Sequence, residues 1–280
     1  MENGRIAKAA AAQNPAAVKP LDKLKSILAS DNVKSRLAAT MNENAGAFSS
    51  SIIELFTSDT KLSQCDPIKV TGEALKAAAL KLPINKAFGF IYIIPYKDGK
   101  TGEYIPQFQL GYKGYMQLLM RSGAYKYVNC DVVYEGELVS SDKLTGAIDL
   151  TGTKNGDKII GYFAYIETLN GFSKTLYMSY DEMVAHAKKY SKSAYNGKLG
   201  GVWASDFDAM AKKTCLRLLI GKYGIMSVDM QSAYIADASP ADYNDIPDVE
   251  NNEPLDIAID ENGEVVEIEE KGGSDSAANT

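Results

Sequence analysis

FGFIYIIPYKDGKTGEYIPQFQLGY, residues 88–112, is where the chain stops reading as helix and starts reading as sheet. Its apolar and aromatic residues recur with a period close to two. FGFIYIIPY and EYIPQFQLGY flank the turn-rich link KDGKTG, which predicts a hairpin with Lys97 and Lys100 near its tip. Upstream the period is helical. Leu21, Leu24, Ile27 and Leu28 are spaced for one helix face, Ser30 or Asp31 can cap a second segment, and Ile52, Ile53, Leu55 and Phe56 mark a third. A short helix is expected after Thr71, with Ala74, Leu75, Ala78, Ala79 and Leu82 on its apolar side and Pro83 at its end. Downstream, strands are expected at 125–134, 147–153, 158–168 and 172–178, joined partly by Asn155-Gly156 and Asn170-Gly171, a pair suited to tight antiparallel turns. Ser179 with Glu182 makes a capping box for a helix through Tyr190. Helices on both sides of a run of antiparallel strands predict an α+β fold, an antiparallel hairpin sheet flanked by helices, and not a doubly wound sheet.

At 280 residues with 45% hydrophobic and 24% charged content, the chain can bury a sizeable core. No apolar run has the length of a membrane span and no secretory signal pattern is present, so neither insertion nor export is expected. Cys65, Cys130 and Cys215 are odd in number and far apart, which fits a reducing cytoplasm better than a disulfide or zinc framework. The net charge of −6 conceals a division. Residues 237–280 hold 14 acidic residues and one basic residue, leaving 22 acidic against 29 basic in residues 1–236. A basic body favours a polyanionic partner. The expected organisation is a disordered Ala-rich leader at 1–19, a functional core at 20–236 and a flexible acidic tail at 237–280. The tail reads as a solubility appendage, a competitor for the basic surface or a partner-recruiting extension. Leu255, Ile257 and Ile259, followed across Asn262-Gly263 by Val265, Val266 and Ile268, give it one alternating segment that can form a hairpin.

Two stretches combine cations with apolar surface. WASDFDAMAKKTCLRLLIGKY, residues 203–223, reads as one helix apolar on two sides, with Trp203, Phe207, Met210, Thr214 and Leu218 on one face and Ala209, Leu216 and Ile220 opposite. It carries Lys212, Lys213, Arg217 and Lys222. Lysine and arginine are rarely buried without a partner, so Lys213 and Arg217, one turn apart, are expected to emerge into a groove that receives anions. Snorkelling of their stems to solvent is the alternative. In LGYKGYMQLLMRSG, residues 110–123, Lys113, Gln117 and Arg121 form one polar stripe suited to phosphates and base edges, or an ordinary solvated face. Gly123 closes that helix in a left-handed conformation.

Catalytic chemistry finds little support. His186 is the single histidine and lies mid-helix, where an ordinary half-exposed role is the better reading. Gly99-Lys100-Thr101 lacks the earlier glycine of a phosphate-binding loop, since position 94 is Ile94, and the glycines of a dinucleotide site are missing. Asp206 and Asp208 are the candidates for magnesium in a nuclease or phosphotransferase. Their spacing does not make them face one another on a helix, and opposing the macrodipole in a first turn is the preferred role. No catalytic residue, metal or cofactor is expected.

The remaining pattern interleaves bases with aromatics: Tyr112 with Lys113, Arg121 with Tyr125 and Tyr127, Lys192 with Tyr195, and the loop SKSAYNGKLGG at 191–201 carrying Lys192 and Lys198. Single-stranded nucleic acid needs both, a cationic track for its backbone and flat faces for its bases. LGYKGYMQLLMRSGAYKYVNCDVVYEGE (110–137), WASDFDAMAKKTCLRLLI (203–220) and QCDP (64–67) with the later LPINKAFGFIYIIPY (82–96) resemble the RecT family of phage and prophage single-strand DNA annealing proteins over roughly residues 40–236. The resemblance implies an ATP-independent recombinase, distantly of the Rad52 type in fold, that coats single strands as rings or helical filaments and pairs them with a complement. It further implies annealed duplex as product, and a 5′ to 3′ exonuclease and a host single-strand binding protein as partners in the bacterial cytoplasm. Carried onto this chain, the resemblance gives Gln109, Lys113, Arg121, Trp203, Lys212, Lys213 and Arg217 as the DNA track, and the basic and aromatic pattern adds Tyr112, Gln117, Lys192 and Lys198 as DNA-binding residues. The N-terminal helices, with Leu28, Leu37, Ile52 and Phe56, are candidates for contacts between protomers or for plain core packing. A basic face that meets an acidic protein, or the chain's own tail, is the competing non-catalytic reading.

Overall fold

The hairpin at residues 88–112 forms, and its alternation decides what the two faces of the molecule's centre are made of. The structure, a computed structural model, describes residues 18–191, 194, 196–238, 258–259 and 265–266. β1 (Ile91–Lys97) pairs antiparallel with β2 (Tyr104–Leu110), with Ile91 opposite Leu110 and Ile93 opposite Phe108. Those four side chains are buried on one face, and alternation leaves Tyr92, Ile94, Tyr96, Gln107 and Gln109 on the other.

The buried face rests on a helical layer. α1 (Pro20–Ala29), α2 (Asp31–Met41) and α3 (Ala45–Ser58) pack together and against α4 (Pro67–Ala79). The α4 contact surface is Val70, Ala74, Ala77 and Ala78, small enough for the helix to lie close to the hairpin. α4 starts before Thr71. The Asp66 carboxylate accepts from the Ile68 N–H at 3.1 Å, Pro67 takes the first turn, and Thr71 lies inside the helix with its hydroxyl donating to the Pro67 carbonyl at 2.8 Å. Leu28, Leu37, Ile52 and Phe56 are all within this core at 5% exposure or less, so they pack their own chain and are not surface for another protomer.

α5 (Tyr112–Arg121) follows β2 at once, and Gly123 ends it at φ 67°. Its start is pressed on the backbone before β1. An alanine Cβ at Gly111 would overlap the Gly89 carbonyl, and one at Gly114 would overlap the Phe90 carbonyl and come 2.7 Å from Leu110 Cδ1.

The second sheet begins with β3 (Tyr125–Tyr134). The chain then makes an excursion in which β4 (Ser140–Ser141) and β5 (Ile148–Asp149) pair with each other, before β6 (Ile159–Thr168) and β7 (Ser173–Ser179) complete a three-stranded antiparallel sheet of order β3-β6-β7. Asn170-Gly171 turns β6 into β7, as expected. Asn155-Gly156 does not join two neighbouring strands: the Asn155 N–H returns to the Glu135 carbonyl at 2.6 Å and closes the excursion on the end of β3. The strand expected at 147–153 is cut to two residues accordingly.

α6 (Tyr180–Tyr190) carries the capping box of Ser179 and Glu182. The helix expected at 203–223 is two. α7 (Val202–Ser205) stops at Asp206, whose φ −147° and ψ 72° break the helix, and α8 (Phe207–Tyr223) starts with the Asp206 carboxylate accepting from the Ala209 N–H at 3.2 Å. α8 lies on the three-stranded sheet through Ala211, Cys215, Leu216, Leu219 and Ile220, and α9 (Val228–Asp237) follows. β8 (Ala258–Ile259) pairs antiparallel with β9 (Val265–Val266), and the Asn262-Gly263 turn expected between them lies outside the described residues. The rest of the tail beyond Ala238, and the leader through Ala17, lie outside the described residues. Asp237, grouped with the tail by charge alone, is the last residue of α9 and is buried.

The three thiols are interior. Burial pushes Cys65 up to about 11 and Cys130 up to about 12, and raises Cys215 further, so none is a thiolate nucleophile at neutral pH. Among the described residues no helix is long and apolar enough to cross a membrane.

Gly114→Ala should cost about 1–3 kcal/mol of stability through overpacking against backbone. Gly72→Ala, on α4 with nothing within 4 Å of the new methyl, should instead add about 0.4–1 kcal/mol, both read from urea unfolding midpoints.

Candidate nucleic-acid interface

The polar face of the β1-β2 hairpin and the side of α8 turned away from the three-stranded sheet are the two walls of a groove of about 870 Å³. Alternation supplies the first wall: Ile94 and Tyr96 from β1 stand beside Gln107 and Gln109 from β2. Helical spacing supplies the second, with Met210, Lys213, Thr214 and Arg217. Trp203 on α7, His186 and Tyr190 on α6, and Tyr234 and Asp237 on α9 complete the lining. Lys61 and Lys97 stand at the rim with Asp59. Four cations, Lys61, Lys97, Lys213 and Arg217, thus face two carboxylates, Asp59 and Asp237, among the described lining residues.

The floor is an ion cluster. Lys213 is 8% exposed, and its Nζ donates to Asp237 Oδ1 at 2.7 Å and to Gln109 Oε1 at 3.0 Å. Arg217 approaches the other oxygen, Nε to Oδ2 at 3.9 Å, and its guanidinium lies 4.6 Å from the centre of the Tyr234 ring. The same carboxylate accepts the Leu110 N–H at 2.7 Å and the Tyr115 hydroxyl at 2.9 Å. The expected anion beside Lys213 and Arg217 is therefore already supplied by the chain itself. Burial first, and then the Asp237 charge, raise Tyr115 well above the ordinary tyrosine range and raise Tyr96 as well, which keeps both as neutral hydroxyls. At the rim, burial alone would raise Asp59, but the Leu62 and Lys61 N–H groups and Lys86 outweigh it and hold the carboxyl below its usual value.

The groove face includes Tyr92, which stands directly opposite Gln109 on the same rung of the ladder, at about 4.5–5.5 Å. There the Tyr92 ring lies against Gly89 and Gly111, close to the stem of Lys113. Tyr112 adjoins it, with Lys212 Nζ 5.0 Å above its ring centre and 3.7 Å from Asp131. Of the residues expected to bind DNA, Gln109, Trp203, Lys213 and Arg217 line the groove, and Tyr112, Lys113 and Lys212 gather at its Tyr92 end. Gln117 is half-buried further along α5 and outside the lining, and Lys198 is exposed outside it too. Lys192 lies outside the described residues.

Arg121 departs from the expected stripe. Its guanidinium donates to the Leu80 carbonyl at 2.7 Å and to Asp229 at 3.1 Å, tying α5 to the end of α4 and the start of α9. The orphan carbonyls at a helix end attract such a donor, and the i, i+4, i+8 spacing carries no sign of it. The sequence also passed over Tyr96, Lys61 and Tyr190 as lining residues. For Tyr96 a signal existed, since Tyr92, Ile94 and Tyr96 share a strand face with the two glutamines; for Lys61 and Tyr190 only the tertiary fold brings them near.

The paired carboxylates proposed for magnesium have other tasks. Asp206 caps α8, and Asp208 Oδ1 accepts the Tyr162 hydroxyl at 2.6 Å, an interaction that, after burial, helps raise Tyr162 far above its ordinary range. Among the described residues no group of three or more His, Cys, Asp or Glu side chains is arranged to hold a metal ion.

Sequence relationships cover the same part of the chain. The RecT family model matches residues 46–254. The chain is 42% identical over 224 residues to the uncharacterized protein YqaK of Bacillus subtilis strain 168, covering 80% of this chain and 75% of that one. It is 27% identical over 234 residues to Protein RecT of Escherichia coli strain K12, covering 80% and 82% respectively.

Arg121→Ala should lower the unfolding free energy by about 1.5–3 kcal/mol, the range for hydrogen bonds to a charged group. Single-strand DNA affinity of the folded variant should change little, and a binding loss without a stability loss would return Arg121 to the DNA surface.

Proposed function

Because the chain belongs to the RecT family, we propose that it is a single-strand annealing protein of DNA recombination that binds its strand along the groove between the β1-β2 hairpin and α8. The observation that carries this reading is the groove's composition: Lys213 and Arg217 on one wall, and Gln107, Gln109 and Tyr96 on the other, with Trp203 beside them. Cations neutralise phosphate, amides and hydroxyls bond to sugar and base edges, and aromatic faces accept any base by stacking. Such a lining is tolerant of sequence. Tyr112, Lys113 and Lys212 extend the track at the Tyr92 end, and Lys61 and Lys97 extend it at the other. Lys192 and Lys198, which follow α6 in the sequence, belong to the same reading.

The reaction needs positioning and charge neutralisation and no covalent step, so the protein acts without ATP and is not an enzyme in the hydrolytic sense. A magnesium-dependent nuclease through Asp206 and Asp208 is disfavoured by the hydrogen bonds that occupy both carboxylates. One groove spans a few nucleotides, and pairing long strands calls for many grooves in a fixed rotation. Head-to-tail assembly into a ring or helical filament meets that requirement. Cytoplasmic action beside a 5′ to 3′ exonuclease and a host single-strand binding protein follows from the same reading, and the acidic tail is a weak competitor for the basic groove.

Binding to a homopolymeric oligonucleotide should need no nucleotide and should weaken with salt. With about six phosphates neutralised per protomer, the slope of log K against log salt should lie near −4. Salt-independent affinity would refute the groove reading. Arg217→Ala, with its fold checked by circular dichroism, should lose about tenfold or more in affinity, the equivalent of about 1.5–3 kcal/mol for one charge-assisted contact.

Electron microscopy after sequential addition of two complementary oligonucleotides should reveal rings or helices on the annealed product. Monomers on that product would exclude the assembly.

A further inference from the structure

The two carboxylates of the groove are held differently. Asp59 is bound in its own turn by the Lys61 and Leu62 N–H groups, whereas Asp237 sits at the floor between the α8 cations with its side chain 1% exposed. Neutral donors fix it there. The Leu110 N–H reaches it from β2 at 2.7 Å and the Tyr115 hydroxyl from α5 at 2.9 Å, so the carboxylate is anchored independently of Lys213 and Arg217. An anion anchored in this way stays in place when a phosphate enters, unlike a surface carboxylate that swings aside.

Resting on the reading of the groove as the single-strand DNA site, we propose that Asp237 is its built-in counter-ion and positioning residue: it cancels one of the two charges that Lys213 and Arg217 offer to the phosphodiester backbone and fixes the direction from which Lys213 meets a phosphate. Lys213 Nζ carries three N–H donors, of which Asp237 and Gln109 take two, so a single donor of set direction is left for the groove. Two cations with one fixed anion count as one neutralised phosphate. Each protomer therefore holds its strand more weakly than its cations alone would, and the strand is gripped by summation over many protomers. That suits a protein whose bound strand must shift register against a complement before pairing is complete. Tyr115, kept neutral by burial, holds the carboxylate without adding charge of its own.

The test is the salt dependence of binding of the full-length protein to a fluorescent oligo-dT strand, by anisotropy. Asp237→Asn should steepen the slope of log K against log salt by about 0.7, an affinity gain of about fivefold for each tenfold fall in salt. Lys213→Gln should make the slope shallower by about the same 0.7, and the double variant Lys213→Gln/Asp237→Asn should return to the wild-type slope. The double variant removes both members of the Lys213–Asp237 pair and leaves one cation, Arg217, at the site, so it strands less buried charge than Asp237→Asn and carries the test if Asp237→Asn alone fails to fold. Tyr115→Phe deletes a hydrogen bond to the same carboxylate but keeps its charge, and should lower the unfolding midpoint while leaving the slope unchanged. An Asp237→Asn slope equal to or shallower than wild type overturns the counter-ion. So does a double variant that keeps the slope of Lys213→Gln alone. A wild-type protein with no affinity for the strand overturns the DNA reading itself and the counter-ion with it, whereas normal wild-type binding with unshifted variant slopes overturns the counter-ion only.

Discussion

The Asp237 carboxylate joins more of this molecule than any other polar group described. β2 gives it a backbone N–H, α5 a hydroxyl, α8 an ammonium and a guanidinium, and α9 the side chain itself. Four elements far apart in sequence are thereby held in one register. The arrangement is costly to break, because removing one partner of a buried pair strands the other; about 3–5 kcal/mol is typical. The same arrangement sets the α8 wall of the groove. Lys213 and Arg217 face the hairpin because Asp237 stands between them and the core, and without it two cations would lie in an apolar floor.

The groove follows from how two periodicities meet. A strand alternates, so the hairpin that buries Ile91, Ile93, Phe108 and Leu110 must present Tyr92, Ile94, Tyr96, Gln107 and Gln109 on its other side. A helix turns by about 100° per residue, so α8 can lay Cys215, Leu216 and Leu219 on the three-stranded sheet while Lys213 and Arg217 point elsewhere. Alanines on α4 bring the helical layer close beneath the hairpin, and Gly111 and Gly114 bring α5 against the backbone before β1. The groove wall and the packing wall are opposite faces of the same elements. Mutations that loosen the core therefore disturb the groove without touching it.

Charge is organised at two scales. Over the whole chain it is split between a basic body and an acidic tail, which favours association with a polyanion and is screened by salt. Within the groove it is trimmed by fixed carboxylates at distances of a few ångströms, where screening is weak. The aromatic residues add contact area that salt does not weaken.

Much of this was legible in the residues. The change of period at Phe88, the Asn170-Gly171 turn, the Ser179–Glu182 box, Gly123 and the two-sided apolar character of 203–223 are local signals, and local backbone and side-chain preferences express them whatever the tertiary context, although the break at Asp206 that divides the last of these into two helices is not among them. The family resemblance was legible for the same reason, since it lies in contiguous motifs. Other features had no local trace. Asp237 looked like the first residue of an acidic tail, because sequence counts charge without regard to depth, and only the docking of α9 buries it. Arg121 looked like the end of a stripe on α5, but the carbonyl of Leu80 and the carboxylate of Asp229 that claim it come from distant elements. Asn155-Gly156 had turn chemistry, yet strand pairing is settled by which partner edge is free. The sequence by itself determined the elements, their class and the kind of surface they could make; the tertiary structure decided which charges meet, because burial and long-range pairing are properties of the packed chain and not of any segment of it.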